Sequence, residues 1–384
     1  MALTIVAPKI TIGTGESMKH AKTYTIRSIF LAAFCLWLLP SAAVAETKKH
    51  RCGSHHEHTL QRAIDKLDAG DTLIVSGICN ENVLIGDGRH NLTIVGQGTA
   101  TINGSGNLNA PTVQIRGRGI TIKGFTIIGG RHGVQFFRGG TGTIDGNLIK
   151  NATTHGVGVH NGSFALIVDN TIEYNGFNGI CVCEHSVADI GFRGDFATQA
   201  SPNVVRNNGT SGILVADASY AEIESNAVYG NLSAGITVDN SASAKIGFQS
   251  GVTGTFASAN TIEQNGNRGV LVSRSSSARI VENFIRNNTG DGVAVVRAAQ
   301  ADIAANAING NTGNGININQ NSGVNLGNDS GGDVQDQPNS TSTNNGGFGV
   351  RCSINSSADG RLGSLNGNSG PLNFDTSCIN SLNP

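Results

Sequence analysis

Aromatic residues, proline and excess charge of either sign are all scarce in this chain. Only 5% of the 384 residues are aromatic, there are 7 prolines, and the single tryptophan is Trp37. Lysine plus arginine total 26 and aspartate plus glutamate total 27, so the formal net charge is −1. Nucleic-acid-binding proteins usually carry a basic stripe, so this balance argues against nucleic acid as a partner. The scarcity of rings argues against a sugar-binding groove of stacked aromatics, although Phe137, Phe177 and Tyr220 remain.

The chain also lacks an apolar run long enough to span a membrane. Its longest candidate, Ile29 to Leu39, is shorter than the roughly 20 residues that a spanning helix needs. Arg27 precedes this run and Ala43-Val44-Ala45 follows it as a small-x-small cleavage site. Residues 1–45 are therefore predicted to be a secretory signal peptide, with Met18 as the candidate true start. The mature protein is expected to be a soluble monomer in the periplasm or outside the cell.

Asparagine and glycine, in contrast, are abundant, and asparagine recurs at a fixed interval. One series is Asn147, Asn170, Asn203, Asn226, Asn260, Asn283, Asn306 and Asn339. Its spacing is about 23 residues, and three of the gaps carry about ten extra residues. Each asparagine opens a similar phrase, such as N-T-I-E-Y-N-G-F-N-G-I-C-V from Asn170. A repeat of this length predicts a stacked array of structural units.

Each repeat contains three short stretches in which apolar and polar residues alternate. In the repeat from Asn203 these stretches are Val204–Arg206, Gly212–Val215 and Ala221–Glu224. Alternation is the pattern of a half-buried strand. Three strands joined by glycine and asparagine corners make one coil, whose strands can pair only with those of the coils above and below. The sequence therefore predicts an all-β solenoid with three parallel sheets.

The repeated asparagines are expected to be scaffold residues for two reasons. Asparagine tolerates the left-handed backbone geometry that a tight corner needs. Stacked amides can also hydrogen-bond one another in a ladder along the solenoid. A second series suggests another ladder: Asn175, Asn208, Asn231, Asn265, Asn288 and Asn311.

On these repeats, the chain resembles the right-handed parallel β-helix proteins with pectin-lyase-like folds, over residues 59–384. The entry segment Thr59–Val75 looks like the capping helix and first strand of such proteins, with four apolar residues at helical spacing: Leu60, Ala63, Ile64 and Leu67. The resemblance implies that a saccharide polymer binds along the sheet made by the second strand of each coil. Residues 46–58 precede this domain and are expected to be a flexible terminus rich in histidine: His50, His55, His56 and His58.

Three insertions replace the tight corner between the third strand of one coil and the first strand of the next. They are Gly191–Pro202, Gly247–Ala259 and Gly327–Pro338. All three are expected to project from one edge of the solenoid. The last contains Asp329, Asp333 and Asp336, whose carboxylates could hold calcium, although their spacing is not that of an EF-hand. A solvated loop is the alternative.

Six cysteines remain once the signal peptide is removed, and an even number in an exported chain favours disulfides. Cys52–Cys79 and Cys352–Cys378 are each separated by about one coil, so each pair is predicted to bridge neighbouring rungs. Cys181, Cys183 and His185 alternate along one strand and could present two thiolates and an imidazole to a soft metal ion. A strained disulfide and unpaired thiols are the alternatives for that pair.

The second strands also determine the candidate site. When the coils are aligned on the glycine that opens this strand, the first and third following residues point inward and the fourth and fifth line the outer face. The acidic residues there are Glu184, Asp217 and Asp239. Neighbouring carboxylates either raise one another's pKa or bind a cation such as calcium, so they are the predicted acid, base or calcium ligands. The predicted substrate-binding residues are Arg138, His160, Arg274 and Arg297.

The sequence thus predicts an exported β-helix protein that binds, and as an enzyme would cleave or modify, a polysaccharide. Lyase, epimerase and glycoside hydrolase chemistry are all open. The alternative is a non-catalytic surface, adhesion or structural protein that acts through its long rigid shape. No catalytic residue set of the resembling enzymes transfers residue by residue, because the chain has no adjacent aspartate pair and T-H-G-V-G-V-H (Thr154–His160) matches their histidine motif only loosely.

Overall fold

The computed structural model describes residues 45–53, 59–194, 199–247, 259–327 and 337–383. The predicted signal peptide therefore lies almost entirely outside the described residues. So do His55, His56, His58 and the three aspartates of the last insertion. Among the described residues, no helix is long and apolar enough to cross a membrane.

The described residues form a parallel β-solenoid with three long sheets, as the repeats predict. The first-strand sheet contains Ile78–Cys79, Thr101–Asn103, Thr126–Ile128, Leu148–Lys150, Thr171–Glu173, Val204–Arg206, Ala227–Tyr229, Thr261–Glu263, Phe284–Arg286 and Ala307–Asn309. The second-strand sheet contains Val83–Ile85, Val113–Ile115, Val134–Phe136, Val157–Val159, Ile180–Val182, Ile213–Ala216, Ile236–Asp239, Val270–Ser273, Val293–Val296, Ile316–Asn319, Val350–Cys352 and Leu372–Phe374. The third-strand sheet contains Thr47–Arg51, Thr72–Ser76, Thr93–Gly96, Ile120–Lys123, Thr141–Asp145, Phe164–Val168, Val187–Ile190, Tyr220–Ile223, Ser243–Gly247, Ser277–Val281, Gln300–Ala304, Gly323–Leu326, Ser357–Arg361 and Ile379–Asn383.

The predicted alignment of the coils is confirmed by the pairing of their strands. Ile180 pairs with Ile213, which in turn pairs with Ile236 on the next rung. These residues and their partners two positions later are fully buried in one continuous core of isoleucine, valine, leucine and alanine. Each coil alone could not bury its apolar side chains, so the stack is stabilised by contact between neighbouring rungs.

The asparagine ladders are present, but one of the two reasons given for them is wrong. The amide of Asn203 donates to the side-chain oxygen of Asn226, and Asn226 donates in the same way to Asn260. None of the ladder asparagines has a positive φ. Where no insertion precedes the ladder asparagine, the left-handed residue is the one just before it, such as Asp169 (φ 57°) or Ser225 (φ 65°). The asparagines are therefore selected by buried hydrogen bonding, because their side chains satisfy backbone groups that would otherwise be orphaned at the corner.

A short helix and an additional strand cover the N-terminal end of the solenoid. The helix Leu60–Ile64 begins at Thr59, whose side chain accepts a hydrogen bond from the backbone of Arg62, and its apolar face packs on the core. The flexible terminus predicted for residues 46–58 is wrong for Thr47–Arg51, which pairs in parallel with Thr72–Ser76. Alternation explains the strand, because its second and fourth residues are partly covered while the others are exposed.

The two predicted rung-to-rung disulfides are confirmed. Cys52 is bonded to Cys79, with a Cα separation of 5.0 Å, and Cys352 is bonded to Cys378, with a Cα separation of 6.1 Å. Each closes a loop of about one coil near an end of the stack. Cross-links of this kind oppose fraying because they restrict the unfolded ensemble.

The three insertions begin at equivalent positions of the third-strand sheet. Register places Gly191, Glu224, Gly247 and Gly327 in one column across the rungs. In the first insertion, Phe192–Arg193 pairs antiparallel with Gln199–Ala200. Arg193 then reaches back to form ion pairs with Asp145 and Asp169 at 2.7 and 2.9 Å. The described part of the first insertion therefore lies against the corner that follows the third strand.

Candidate active site on the second-strand sheet

The outer face of the second-strand sheet changes character along the stack. Side chains at the second position of each strand point outward, and they run Gln114, Gln135, Gly158, Cys181, Leu214 and Thr237. Gly158 leaves a gap in this row. A Cβ placed there would lie 2.6 Å from Nε2 of His160, closer than real contacts allow. The glycine therefore makes room for an imidazole to lie across the sheet.

Three histidines converge at this gap. His132 and His155 occupy equivalent positions on consecutive rungs, just before the opening glycine of each strand, and His160 follows the strand Val157–Val159. The ring centroids of His132 and His155 are 5.3 Å apart, and those of His155 and His160 are 6.0 Å apart. We call these three residues the histidine cluster. Phe177 lies at its border, 6.1 Å from His155 between ring centroids.

Hydrogen-bond partners assign different tautomers to the histidine cluster. The hydroxyl of Thr154 donates to the carbonyl of Arg131 at 2.5 Å, so its oxygen accepts from Nδ1 of His132 at 3.0 Å. Nε2 of His132 is then the nitrogen with the lone pair.

His155 has the opposite arrangement. The backbone N–H and the side-chain amide of Asn178 both point at its Nδ1, at 3.4 and 3.3 Å. The side-chain oxygen of Asn178 accepts from Thr210 and from the backbone of Ser211, which fixes the amide with its NH₂ group toward the histidine. Nδ1 of His155 therefore accepts, and Nε2 carries the proton.

His160 completes the cluster with an unpaired nitrogen. Its Nδ1 faces the carboxylate of Glu184 at 3.8 Å, which favours a proton on Nδ1 and a lone pair on Nε2. That Nε2 is buried and has no hydrogen-bond partner among the described residues. The cluster thus places a free lone pair on His160 beside an N–H donor on His155.

Burial keeps these imidazoles neutral. Burial, with smaller contributions from the neighbouring histidines of the cluster and from the Arg131 guanidinium, lowers the pKa of His132 to about 3 and that of His155 to about 4. Burial also lowers the pKa of His160, while the carboxylates of Glu184 and Asp217 act in the opposite direction. An anionic group bound in the site would raise these pKa values, because a neighbouring negative charge favours the imidazolium form.

The structure places the three predicted acidic residues in two separate groups. Glu184 and Asp217 lie on adjacent rungs at the edge of the sheet, beside His160, and each accepts from the amide of an edge asparagine, Asn161 and Asn240 respectively. Asp239 is held by the Ser273 hydroxyl at 2.6 Å and by Arg274 at 2.9 Å.

The predicted substrate-binding residues also lie in two separate groups along the sheet. Arg138 and His160 belong to the histidine-bearing end of the sheet. Arg274 and Arg297 lie four and five rungs beyond His160, or about 19 and 24 Å at the usual strand spacing. The chemical roles predicted for all of these residues stay predictions.

The metal site predicted at Cys181, Cys183 and His185 is wrong for this structure. The two cysteines are bonded to each other, with a Cα separation of 5.8 Å, so neither has a thiolate to offer. Such a bond fits along one strand because Cα atoms at this distance lie within the range that disulfides span. The bridge packs against Leu214 and Ala216 in a small apolar cluster on the outer face. His185 is exposed at the adjacent corner.

Sequence reasoning missed His132, His155 and Arg131. A signal was present, because R-H-G-V from Arg131 and T-H-G-V from Thr154 are offset by one coil length. Histidine at the same coil position on consecutive rungs must stack. His132 and His155 precede the opening glycine of their strands, whereas the predicted outward positions all follow it.

The histidine cluster also has the spacing of a metal site, since one ring nitrogen of each residue lies within 4.8 Å of the others. Three imidazoles with one open position would suit zinc. The tautomers oppose this occupancy, because Nδ1 of His155 already accepts from Asn178 and its Nε2 carries a proton. Two lone pairs, on His132 and His160, remain for a ligand.

The fold and the polar outer face define a class of repeat solenoid, and comparison with known proteins identifies the family. The family described as right handed beta helix region matches residues 74–194, 111–246 and 188–330, so the chain belongs to it. Comparison with curated proteins gave no match.

Similar solved structures include two modules from Azotobacter vinelandii. The A-module of mannuronan C-5 epimerase AlgE4 has 17% identity and a TM-score of 0.55, covering 84% of this chain and 92% of that one. The A-module of AlgE6 has 16% identity and a TM-score of 0.54, covering 84% and 94%. A double mutant of the periplasmic alginate epimerase AlgG has 17% identity and a TM-score of 0.51, covering 85% and 82%. At these identities the similarity shows a shared fold.

Proposed function

We propose that this chain is an exported protein that binds an acidic polysaccharide across the histidine cluster and modifies it by proton transfer. The single observation that carries the proposal is the pair of opposed tautomers. Nε2 of His160 offers a buried lone pair that no described residue hydrogen-bonds, and His155 offers an N–H within the same cluster. A base and an acid side by side suit the removal of a proton next to a carboxylate.

The chemistry follows from the charges around the cluster. In a uronic acid residue, the proton on the carbon next to the carboxylate becomes more acidic when that carboxylate is neutralised. Arg131 is exposed beside the cluster and can supply the positive charge. His160 takes the proton, and the carboxylate of Glu184 behind Nδ1 stabilises the imidazolium that forms, as in other carboxylate–histidine pairs.

Two products are possible from the resulting carbanion. If the neighbouring glycosidic oxygen leaves, the electron pair forms a carbon–carbon double bond and the chain is cleaved by β-elimination. The His160 imidazolium returns its proton to the departing oxygen, and the N–H of His155 stabilises that oxygen by a hydrogen bond. If water instead delivers a proton to the opposite face of the carbanion, the product is the epimer, and the resulting hydroxide takes the proton from the His160 imidazolium. The similarity in fold to alginate epimerases supports this reaction class over hydrolysis.

The test is a panel of acidic and neutral polysaccharides incubated with the protein in heavy water. Unsaturated chain ends report β-elimination, and deuterium at the carbon next to the carboxylate reports epimerisation. His160→Gln is expected to abolish turnover while leaving polymer binding intact. His185→Gln, a change of the same type at an exposed site on the next rung, is the matched control and should retain activity.

The scaffold alternative gives a different pattern. If the wild-type protein turns over none of the acidic polymers, the enzymatic part of the proposal fails. If in addition no polymer binds, as judged by calorimetry and by unchanged thermal unfolding, the carbohydrate part fails too.

A further inference from the structure

A second, cationic site lies near the N-terminal end of the same sheet. It is a cavity of about 410 Å³ lined chiefly by Asp87, Arg89, His90, Arg116, Arg118 and Arg138. His90 and Arg118 come from neighbouring rungs that pair at this corner. Four guanidinium groups against one carboxylate leave the cavity strongly positive, in a chain whose overall charge is close to zero.

The arginines are held in place without neutralisation of their charge. Arg89 donates to the backbone carbonyls of Leu67 and Asp65 at 2.6 and 2.5 Å. The guanidiniums of Arg116 and Arg138 lie 5.9 and 5.5 Å from the centre of the Phe137 ring. A ring at this distance orients a cation through its π face without neutralising it. Arg116 also donates one hydrogen bond, to the side-chain oxygen of the neutral Gln114 at 3.0 Å.

Among the described residues, Arg116, Arg118 and Arg138 make no ion pair. Several arginines elsewhere in the solenoid do form ion pairs, such as Arg206 with Glu173 and Arg286 with Glu263. Nε of Arg116 is buried and has no hydrogen-bond partner in the described part of the chain. Arginine remains charged at any ordinary pH, so grouping several of them without counter-ions is unfavourable until an anion binds.

The position of the cavity relates it to the histidine cluster. Arg116, Phe137 and His160 occupy one outward column on consecutive rungs. At the usual strand spacing, Arg116 is therefore roughly 10 Å from His160 along the stack. Arg116 is therefore too far away to neutralise the carboxylate that reacts at His160, and we assign that role to Arg131. Arg138, one rung from Asn161, lies on the side of the cavity nearer His160.

We propose that the cavity binds a second acidic group on the same polymer, a carboxylate or a sulfate ester, on a sugar displaced from the reacting one toward the N-terminal end. This inference rests on the proposed function for its polymer, but its binding site is separate. Planar guanidiniums pair with either oxyanion through two parallel hydrogen bonds. The substrate would then carry acidic groups on several sugars, and oligomers long enough to reach both sites would bind more tightly than shorter ones.

The experiment compares wild type with Arg116→Gln/Arg138→Gln by calorimetry, using uronate oligomers of increasing length and sulfated and neutral oligomers of equal length. Long anionic oligomers should bind wild type at least tenfold more tightly than short ones, and the double variant should lose this advantage. The oligomer series that shows this length dependence, uronate or sulfated, identifies the acidic group that the cavity binds. Arg351→Gln, on the same sheet at its far end, is the control and should bind like wild type.

Several outcomes separate this inference from the proposed function. If the double variant keeps the length dependence while remaining folded by thermal unfolding, the cavity inference is overturned and the histidine proposal stands. If His160→Gln loses turnover but keeps the length dependence, both stand. If wild type binds no polymer, its binding of inorganic sulfate is measured instead. Sulfate binding that is present in wild type and lost in the double variant would support an anion site in the cavity. No sulfate binding by wild type would overturn the inference.

Discussion

Replacing Glu224 with glutamine should stabilise the protein at neutral pH, although the residue is one of the most deeply buried charged side chains. Glu224 is 1% exposed, and neither carboxylate oxygen has a hydrogen-bond partner within the part of the chain that the structure describes. It lies in the column of insertion glycines, between Gly191 and Gly247. Burial, with a smaller contribution from the negative charge of Glu222, raises its pKa to about 8.

The magnitude follows from proton linkage. An unfolded glutamate ionises near pH 4.5, whereas native Glu224 stays protonated to about pH 8. Between these values the unfolded state binds fewer protons than the native state, so the free energy of unfolding falls as pH rises. At about 1.4 kcal/mol per pH unit, the loss approaches about 3 kcal/mol at pH 7, and water entering the site would reduce it to about 2 kcal/mol. Glutamine keeps the shape and cannot ionise.

The assay is thermal unfolding of wild type and Glu224→Gln between pH 4 and pH 8. The two melting temperatures should agree near pH 4 and separate as pH rises, with the variant higher by several degrees at pH 7. Glu282→Gln, which removes an exposed carboxylate, should follow wild type throughout. Parallel curves for wild type and Glu224→Gln across this range would refute the reasoning, because they would mean that the native carboxyl ionises normally.

Three further predictions test the site and the scaffold. Gly158→Ala should lower kcat at least tenfold without changing the melting temperature, because the new Cβ would displace the His160 ring; steady-state kinetics with unchanged kcat would contradict this. Asn226→Ala should lower the free energy of unfolding by about 3 kcal/mol or more, because it orphans buried partners on both neighbouring rungs, and exposed Asn267→Ala is the control in urea titrations. A chelator should leave turnover unchanged, whereas excess zinc should inhibit by binding His132 and His160; loss of activity on chelation, restored by metal, would favour a metal enzyme.

The fold was predictable because its determinants are local and repeated. The inward isoleucines and valines recur in every coil, so one correct alignment places all of them, and the pairing of Ile180 with Ile213 confirms it. The ladder asparagines were recognisable for the same reason. Their backbone geometry was not, because the left-handed position belongs to the preceding residue, which varies in type among Asp169, Ser225 and Glu282.

The site was only partly predictable because its residues come from positions where the coils differ. His160 and Glu184 were found from the outer-face alignment, and the structure places them side by side. The tautomers of the cluster depend on Thr154 and Asn178, which are common polar residues with no sequence signature of their own. The bond between Cys181 and Cys183 excludes a soft-metal site that alternation alone allows.

Charge along the second-strand sheet limits where an acidic polymer can lie. The N-terminal rungs carry Arg116, Arg118, Arg131 and Arg138, and the neutral histidine cluster follows. Beyond it, Glu184 and Asp217 line the edge on consecutive rungs, without a described arginine or lysine partner. An anionic chain would be attracted to the first group and repelled by the second. The acidic residues are therefore better placed to end the binding footprint at the histidine cluster than to contact the polymer, which shifts the expected groove from the middle of the solenoid toward its N-terminal third.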